Sequence, residues 1–76
     1  MAKHIVLEII DREVAYLVYE SIEAAIATLR GAFEEICEDN NLDQENECEC
    51  WIDESGTVAY ANTKNFNYDW EIISVK

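Results

Sequence analysis

The chain has 76 residues, half of them hydrophobic, and 17 Asp and Glu against five Lys and Arg give a formal net charge of −12. This length predicts one domain over residues 1–76, and the hydrophobic content excludes a disordered tail. Because phosphates would repel so negative a protein, we expect no direct binding to nucleic acid or to anionic membranes. The charge instead favours a basic partner protein.

The N-terminus predicts no signal peptide, because its apolar run over residues 5–10 is short and contains Glu8. No apolar stretch approaches the roughly 18 residues of a membrane helix. The cysteines Cys37, Cys48 and Cys50 are odd in number, which favours reduced thiols over a disulfide framework. We therefore expect a cytoplasmic protein.

Two strands are predicted at the N-terminal end, over residues 4–10 and 14–19, with a polar turn at 11–13. The first strand is rich in β-branched residues and alternates around Glu8. The second carries apolar groups on both faces, so its orientation stays open. If Glu8 faces water, the core side of the first strand carries Ile5, Leu7 and Ile9.

A helix is predicted from the N-cap Ser21 to about Glu38, with Glu23 in the first turn, where a carboxylate suits the helix dipole. Gly31 weakens this helix by roughly 1 kcal/mol relative to Ala, and one explanation is close packing against the sheet. Seven residues follow the spacing of one buried helical face: Ile22, Ala25, Ile26, Leu29, Phe33, Ile36 and Cys37.

The second half of the chain predicts three further strands, at 47–53, 58–61 and 70–75. A polar turn at 39–46, a hairpin loop at 54–57 and an Asn-rich loop at 62–68 separate the elements. The order ββαβββ predicts an α+β fold, a small antiparallel sheet with one amphipathic helix packed on one face.

Acidic residues cluster between positions 34 and 54, a segment that contains no Lys or Arg. Four of them crowd the C-terminal end of the helix, where each negative charge costs a few tenths to about 1 kcal/mol. Together with Trp51, an aromatic anchor, these acids are the predicted partner-binding residues: Glu34, Glu35, Glu38, Asp39, Asp43, Glu45, Glu47, Glu49, Asp53 and Glu54.

The spacing of Glu45, Glu47 and Glu49 predicts a row of carboxylates in an extended strand. Such a row has a pitch of about 6.8 Å, which matches the rise of two DNA base pairs, about 6.8 Å. The sequence therefore predicts carboxylates that occupy sites built for phosphates. The alternative is that the acids only keep a small protein soluble.

The sequence gives little indication of a metal site or of catalytic activity. The acids from Asp39 to Glu45 begin like a calcium loop, but Gln44 and Cys50 occupy its diagnostic Gly and Glu positions. A zinc site from the three cysteines and His4 lacks the usual spacing, and the cysteines fit core positions better. No catalytic motif is present. We expect neither enzyme activity nor a cofactor.

The chain resembles the small acidic inhibitors of bacteriophages and mobile elements, which include DNA-mimic and anti-CRISPR proteins. The resemblance lies in its size, its acidity and its helix on a small sheet, and in the ending over residues 60–73, YANTKNFNYDWEII. Such families imply binding to a basic nucleic-acid-binding host protein, a nuclease or a DNA-binding protein, and blocking of its positive groove.

The leading hypothesis is thus an acidic protein–protein inhibitor that uses the 34–54 segment as a nucleic-acid mimic. The alternative is a small structural or adaptor domain, for which an exposed strand edge offers a way to pair as a homodimer. A third possibility is a metal-binding regulator that uses Cys48 and Cys50.

Overall fold

The computed structural model describes residues 3–75, and the N-terminal hairpin forms where the sequence predicts it. Strand β1 (Lys3–Ile10) pairs antiparallel with β2 (Glu13–Tyr19), and Ile10 lies opposite Glu13. The turn residue Asp11 has a φ of 55°, which Asp tolerates better than most residues. Its amide donates to the Asn67 carbonyl at 2.9 Å and its carboxylate accepts from the Asn67 amide at 3.1 Å. The turn is thereby tied to the start of the last strand.

Helix α1 spans Ile22–Asp39, within one residue of the predicted bounds. The Ser21 hydroxyl accepts a hydrogen bond from the Ala24 amide at 3.1 Å and caps the first turn, as predicted. The predicted apolar stripe faces the sheet, with four residues fully buried and the other three half-buried. The fully buried ones are Ala25, Leu29, Phe33 and Cys37. No helix in the described residues has the length and apolarity that crossing a membrane requires.

The C-terminal half adds β3 (Cys50–Ile52), β4 (Val58–Asn62) and β5 (Asn67–Val75). The five strands form one sheet in the order β2-β1-β5-β4-β3, and every neighbouring pair is antiparallel. The predicted α+β fold with one helix on one sheet face is confirmed. Strand β5 begins three residues before the predicted strand, so the loop between β4 and β5 is reduced to residues 63–66.

The prediction for the faces of β1 is wrong. Val6 is the buried residue of this strand, 5% exposed, and the alternation of a strand places Glu8 on the same helix-covered side. Glu8 is accommodated there because its carboxylate accepts a hydrogen bond from Trp70 Nε1 at 2.8 Å. The three residues predicted for the core lie on the uncovered face and are only half-buried: Ile5, Leu7 and Ile9.

The core lies between α1 and the middle of the sheet, and Trp70 of the central strand β5 lies at its centre. The Trp70 ring meets Phe33 edge-on at 6.1 Å and 84°, and stacks on Tyr68 at 5.6 Å and 11°. These arrangements are the favoured geometries of aromatic pairs. The buried hydrophobic residues are Val6, Ala25, Leu29, Phe33, Cys37, Cys50, Ala59, Ala61 and Trp70.

The two glycines are present for different reasons. A Cβ added at Gly31 would meet nothing within 4 Å, so the explanation of close packing against the sheet is wrong for this residue. Gly56 has a φ of +75°, and a Cβ there would lie 3.0 Å from both Ile26 Cγ2 and an Arg30 guanidinium nitrogen. Glycine is therefore required at position 56 and dispensable at position 31.

Alanine substitution of the two glycines should shift stability in opposite directions. Gly31→Ala should raise the free energy of unfolding by about 0.5–1 kcal/mol, because alanine loses less backbone entropy in a helix. Gly56→Ala should lower it by about 1–2 kcal/mol, because alanine is strained at positive φ and crowds the side chains above it. Urea unfolding followed by circular dichroism measures both, and shifts of the same sign would contradict this assignment.

Candidate protein-binding surface

The ten acids of the 34–54 segment lie on three adjoining parts of the fold: the end of α1, the loop 40–49, and β3 with its following hairpin. The loop is held to the helix because the Leu42 amide donates to the Cys37 carbonyl at 2.9 Å. It is held near β3 because the Cys50 thiol donates to the Asp43 carbonyl at 3.5 Å. We call these ten acids, together with Trp51, the acidic surface.

Most of the acidic surface is open to solvent. Only Glu49 and Asp53 are half-buried. Trp51 is 36% exposed. The carboxylates exposed to solvent are those of Glu34, Glu35, Glu38, Asp39, Asp43, Glu45, Glu47 and Glu54. The structure therefore exposes most of the predicted partner-binding residues to solvent.

The predicted strand over 47–53 is wrong at its N-terminal half, because β3 begins only at Cys50. Residues 46–49 instead form a turn that is held by Asn46. Its carbonyl accepts from the amides of Glu49 and Cys50 at 2.9 and 3.1 Å, and its side-chain oxygen accepts from the Cys48 amide at 3.0 Å. Such local bonds to Asn compete with strand pairing. The predicted extended row of Glu45, Glu47 and Glu49 is consequently not formed.

The same turn is fastened to the neighbouring strand β4. The Tyr60 hydroxyl donates to the Glu47 carbonyl, and the Asn62 amide donates to the Glu49 carbonyl at 2.7 Å. Tyr60 also stacks on Trp51, with ring centroids 5.9 Å apart and planes at 28°. Trp51 is thus a supported, partly exposed aromatic residue beside the turn that carries Glu47.

The end of α1 confirms that carboxylates occupy an unfavourable site. The last turn contains no basic residue, and Glu35, Glu38 and Asp39 share one helical face at spacings of three and four. Asn40 satisfies part of the helix end, since its side-chain amide donates to the Ile36 carbonyl at 2.8 Å. All the charged side chains of the last turn are nonetheless negative, at the negative end of the helix dipole.

Asp53 has a structural role that sequence reasoning missed. Its carboxylate accepts hydrogen bonds from the Ser55 hydroxyl at 2.5 Å and from the amides of Thr57 and Val58 at 2.9 and 3.1 Å. These bonds, the Ser55 one foremost, lower the pKa of Asp53 below its ordinary value of 3.8. The run Asp-Glu-Ser-Gly-Thr is typical of such side-chain-capped turns, so the signal was present in the sequence.

Because its folded pKa is lowered, ionised Asp53 should stabilise the fold above its unfolded pKa and lose this effect as the pH falls through the folded pKa. Asp53→Asn should therefore be less stable than the wild type near about pH 6 and approach it near about pH 2. Urea unfolding at several pH values measures the difference. Glu54→Gln, an exposed neighbour, is the control. A constant difference between Asp53→Asn and the wild type across the pH range would contradict this role.

The cysteines and the histidine do not come together as metal ligands. Cys37 and Cys50 are buried, and burial, reinforced by Cys50, raises the pKa of the Cys37 thiol to about 12. Cys48 is exposed, and His4 Nδ1 lies 2.7 Å from Ser74 Oγ on the strand pair β1–β5. Within residues 3–75 no group of three or more His, Cys, Asp or Glu side chains is arranged to hold a metal ion.

Comparisons of the chain with protein-family models, with curated proteins and with solved structures find no match in any of the three. The chemistry of the acidic surface and the exposure of its residues are therefore the basis for a functional proposal.

Proposed function

We propose that this protein is a cytoplasmic inhibitor that binds, through the acidic surface, the basic nucleic-acid-binding groove of a host protein. The observation that carries the proposal is the exposure of eight carboxylates on three adjoining elements, in a segment without Lys or Arg. The resemblance to the DNA-mimic and anti-CRISPR inhibitors of phages supports this class of partner. The proposed activity is binding alone and needs neither a catalytic group nor a cofactor.

The carboxylates would compete with nucleic acid as a cluster of charges on the surface and not as a single row along one strand. They come from a helix end, a loop and a hairpin, and not from one extended strand of regular pitch. A basic groove nevertheless attracts any dense group of negative charges, and the attraction accelerates association. Binding of this kind weakens steeply as salt rises, because salt screens exposed charges.

Trp51 would add the apolar contact that charge alone does not supply. Aromatic side chains that are supported by neighbours and rimmed by polar groups are common energetic centres of protein interfaces. Stacking on Tyr60 holds the Trp51 ring in place before a partner arrives. Less conformational entropy is therefore lost on binding.

The unfavourable placement of Glu38 and Asp39 also supports a function beyond solubility. Acids placed elsewhere would increase solubility equally well without opposing the helix dipole. Residues that break a local rule without a compensating contact are frequently found at functional sites.

Capture from a candidate host lysate tests the proposal. The immobilised protein is loaded with lysate, eluted with a salt gradient and analysed by mass spectrometry. We expect one nucleic-acid-binding protein to elute sharply and to be displaced by added DNA or RNA. If nothing elutes, or only a mixed basic background does, the acids serve solubility and the proposed function is wrong.

A further inference from the structure

Strand β2 lies at a free edge of the sheet and is exposed along nearly its whole length. Its apolar side chains Val14, Tyr16, Leu17 and Val18 are 61%, 66%, 57% and 49% exposed. Natural proteins shield sheet edges with lysine, proline, bulges or very short strands. The seven residues of β2, EVAYLVY, contain neither lysine nor proline, and their one charged side chain is Glu13 at the start of the strand. This edge is therefore chemically suited to pair with another strand.

The backbone groups that β2 directs outward follow from the hydrogen bonds of the sheet. The Asp11 amide points to β5, so by alternation the odd residues of β1 face β5 and the even ones face β2. The residues of β2 opposite those even positions are the odd ones, from Glu13 to Tyr19. The outward amides and carbonyls consequently belong to Val14, Tyr16 and Val18.

We propose that a second copy of this chain pairs with β2, antiparallel, about a two-fold axis centred on Tyr16. In this register Val14 lies opposite Val18 of the second copy, and Tyr16 lies opposite its own counterpart. All three outward-facing residues then meet outward-facing residues, as hydrogen-bonded pairs require. On the helix-covered side Ala15 meets Leu17. The pairing is self-complementary, which a two-fold interface demands.

Charge selects this register. The residues that flank β2 are the turn residue Arg12 and Glu20, both exposed, and continuing the register beyond the strand ends brings each Arg12 close to Glu20 of the second copy. A shift by two residues would place Arg12 opposite Val18 or Ile22 and lose both pairs. Within one chain the two residues are separated by eight positions of strand, about 27 Å. An ion pair between these two residues can therefore form only between copies.

The sheet order favours the same arrangement. Strands β2 and β3 lie at opposite edges, so pairing through β2 keeps the two acidic surfaces at the far ends of a ten-stranded sheet. For two chains of charge −12, this separation reduces the repulsion between their acidic surfaces. The inference does not depend on the proposed function, because the acidic surface remains free in the dimer.

Blocking the outward amide of Val18 tests the interface. Proline is tolerated at an edge position whose amide faces solvent, so Val18→Pro should fold yet lose both symmetric hydrogen bonds. Val18→Ala keeps the amide and is the matched control. By sedimentation equilibrium up to about 1 mM protein, we expect Val18→Pro to raise the dimer dissociation constant at least about tenfold relative to Val18→Ala. A wild type that stays monomeric overturns the proposal.

A charge exchange tests the register without risk to the backbone. Arg12→Glu and Glu20→Arg should each raise the dissociation constant about tenfold, because each creates two like-charge pairs in the dimer. The double variant R12E/E20R should restore the wild-type value. If the wild type dimerises but neither single variant weakens it, another surface forms the dimer and the proposal is wrong.

Amide hydrogen exchange tests the pairing residue by residue. In the monomer the amides of Val14, Tyr16 and Val18 should exchange quickly, while those of Ala15 and Leu17 are protected by β1. Raising the protein concentration should protect the first three and leave the other two unchanged. Fast exchange at all three positions in a sample shown to be dimeric would also overturn the proposal.

Discussion

Replacing Glu38 and Asp39 by lysine should weaken binding of a basic partner about ten- to a hundredfold while making the fold more stable. The loss of binding follows because two exposed carboxylates of the acidic surface become repulsive. The stability should rise by about 1–2 kcal/mol, because lysine suits the negative end of the helix dipole and forms attractive pairs with Glu34 and Glu35 one turn earlier. Fluorescence titration and urea unfolding measure the two effects.

The matched control reverses two exposed acids at the β2 edge of the sheet, opposite the edge formed by β3, Glu13→Lys and Glu20→Lys. Both double variants carry the same net charge, −12 plus 4, or −8. We expect the control to bind the partner within about threefold of the wild type at moderate salt, because distant charges are screened. Equal loss in both variants would show that net charge alone matters, and the acidic surface would not be a binding site.

Replacing Trp70 by alanine should destabilise the domain by about 3–5 kcal/mol. A chain of this size has a total stability of only about 4–11 kcal/mol, so a large fraction of the molecules should unfold under mild denaturation. The cause is twofold: the variant loses the aromatic contacts to Phe33 and Tyr68, and it leaves the Glu8 carboxylate without its donor at 2.8 Å. Urea unfolding followed by far-UV circular dichroism measures the loss.

A double-mutant cycle separates these two causes. Trp70→Phe retains most of the ring packing but removes the donor, and Glu8→Ala removes the acceptor. The coupling energy between the two substitutions should be about 1.5–3 kcal/mol, the range for a hydrogen bond to a charged group. A coupling near zero would show that the Trp70–Glu8 contact contributes nothing to stability.

Much of the fold could be predicted because the signals for it are local. The apolar spacing of α1 places its buried face correctly, and Ser21 caps it as predicted. The hairpin of β1 and β2 follows from two apolar runs around a polar turn. The clustering of acids is a property of the sequence itself, and the structure exposes most of them.

The predictions are wrong where the local sequence is compatible with two different structures. In β1 the alternation around Glu8 indicates a water-facing carboxylate, yet both faces of the strand are apolar and the donor that accommodates Glu8 lies 62 positions away, at Trp70. Between positions 46 and 49 the alternating pattern indicates a strand, but Asn46 offers nearby amides a closer acceptor than a neighbouring strand does.

Propensity, periodicity and charge act over a few neighbouring positions, so local signals predicted the β1–β2 hairpin, the buried face of α1 and the concentration of negative charge between residues 34 and 54. Only the tertiary structure decided the sheet order β2-β1-β5-β4-β3, and with it the free edge of β2 opposite the acidic surface. Strand order depends on which distant segments bury their apolar faces together, and that choice is made by the whole chain at once.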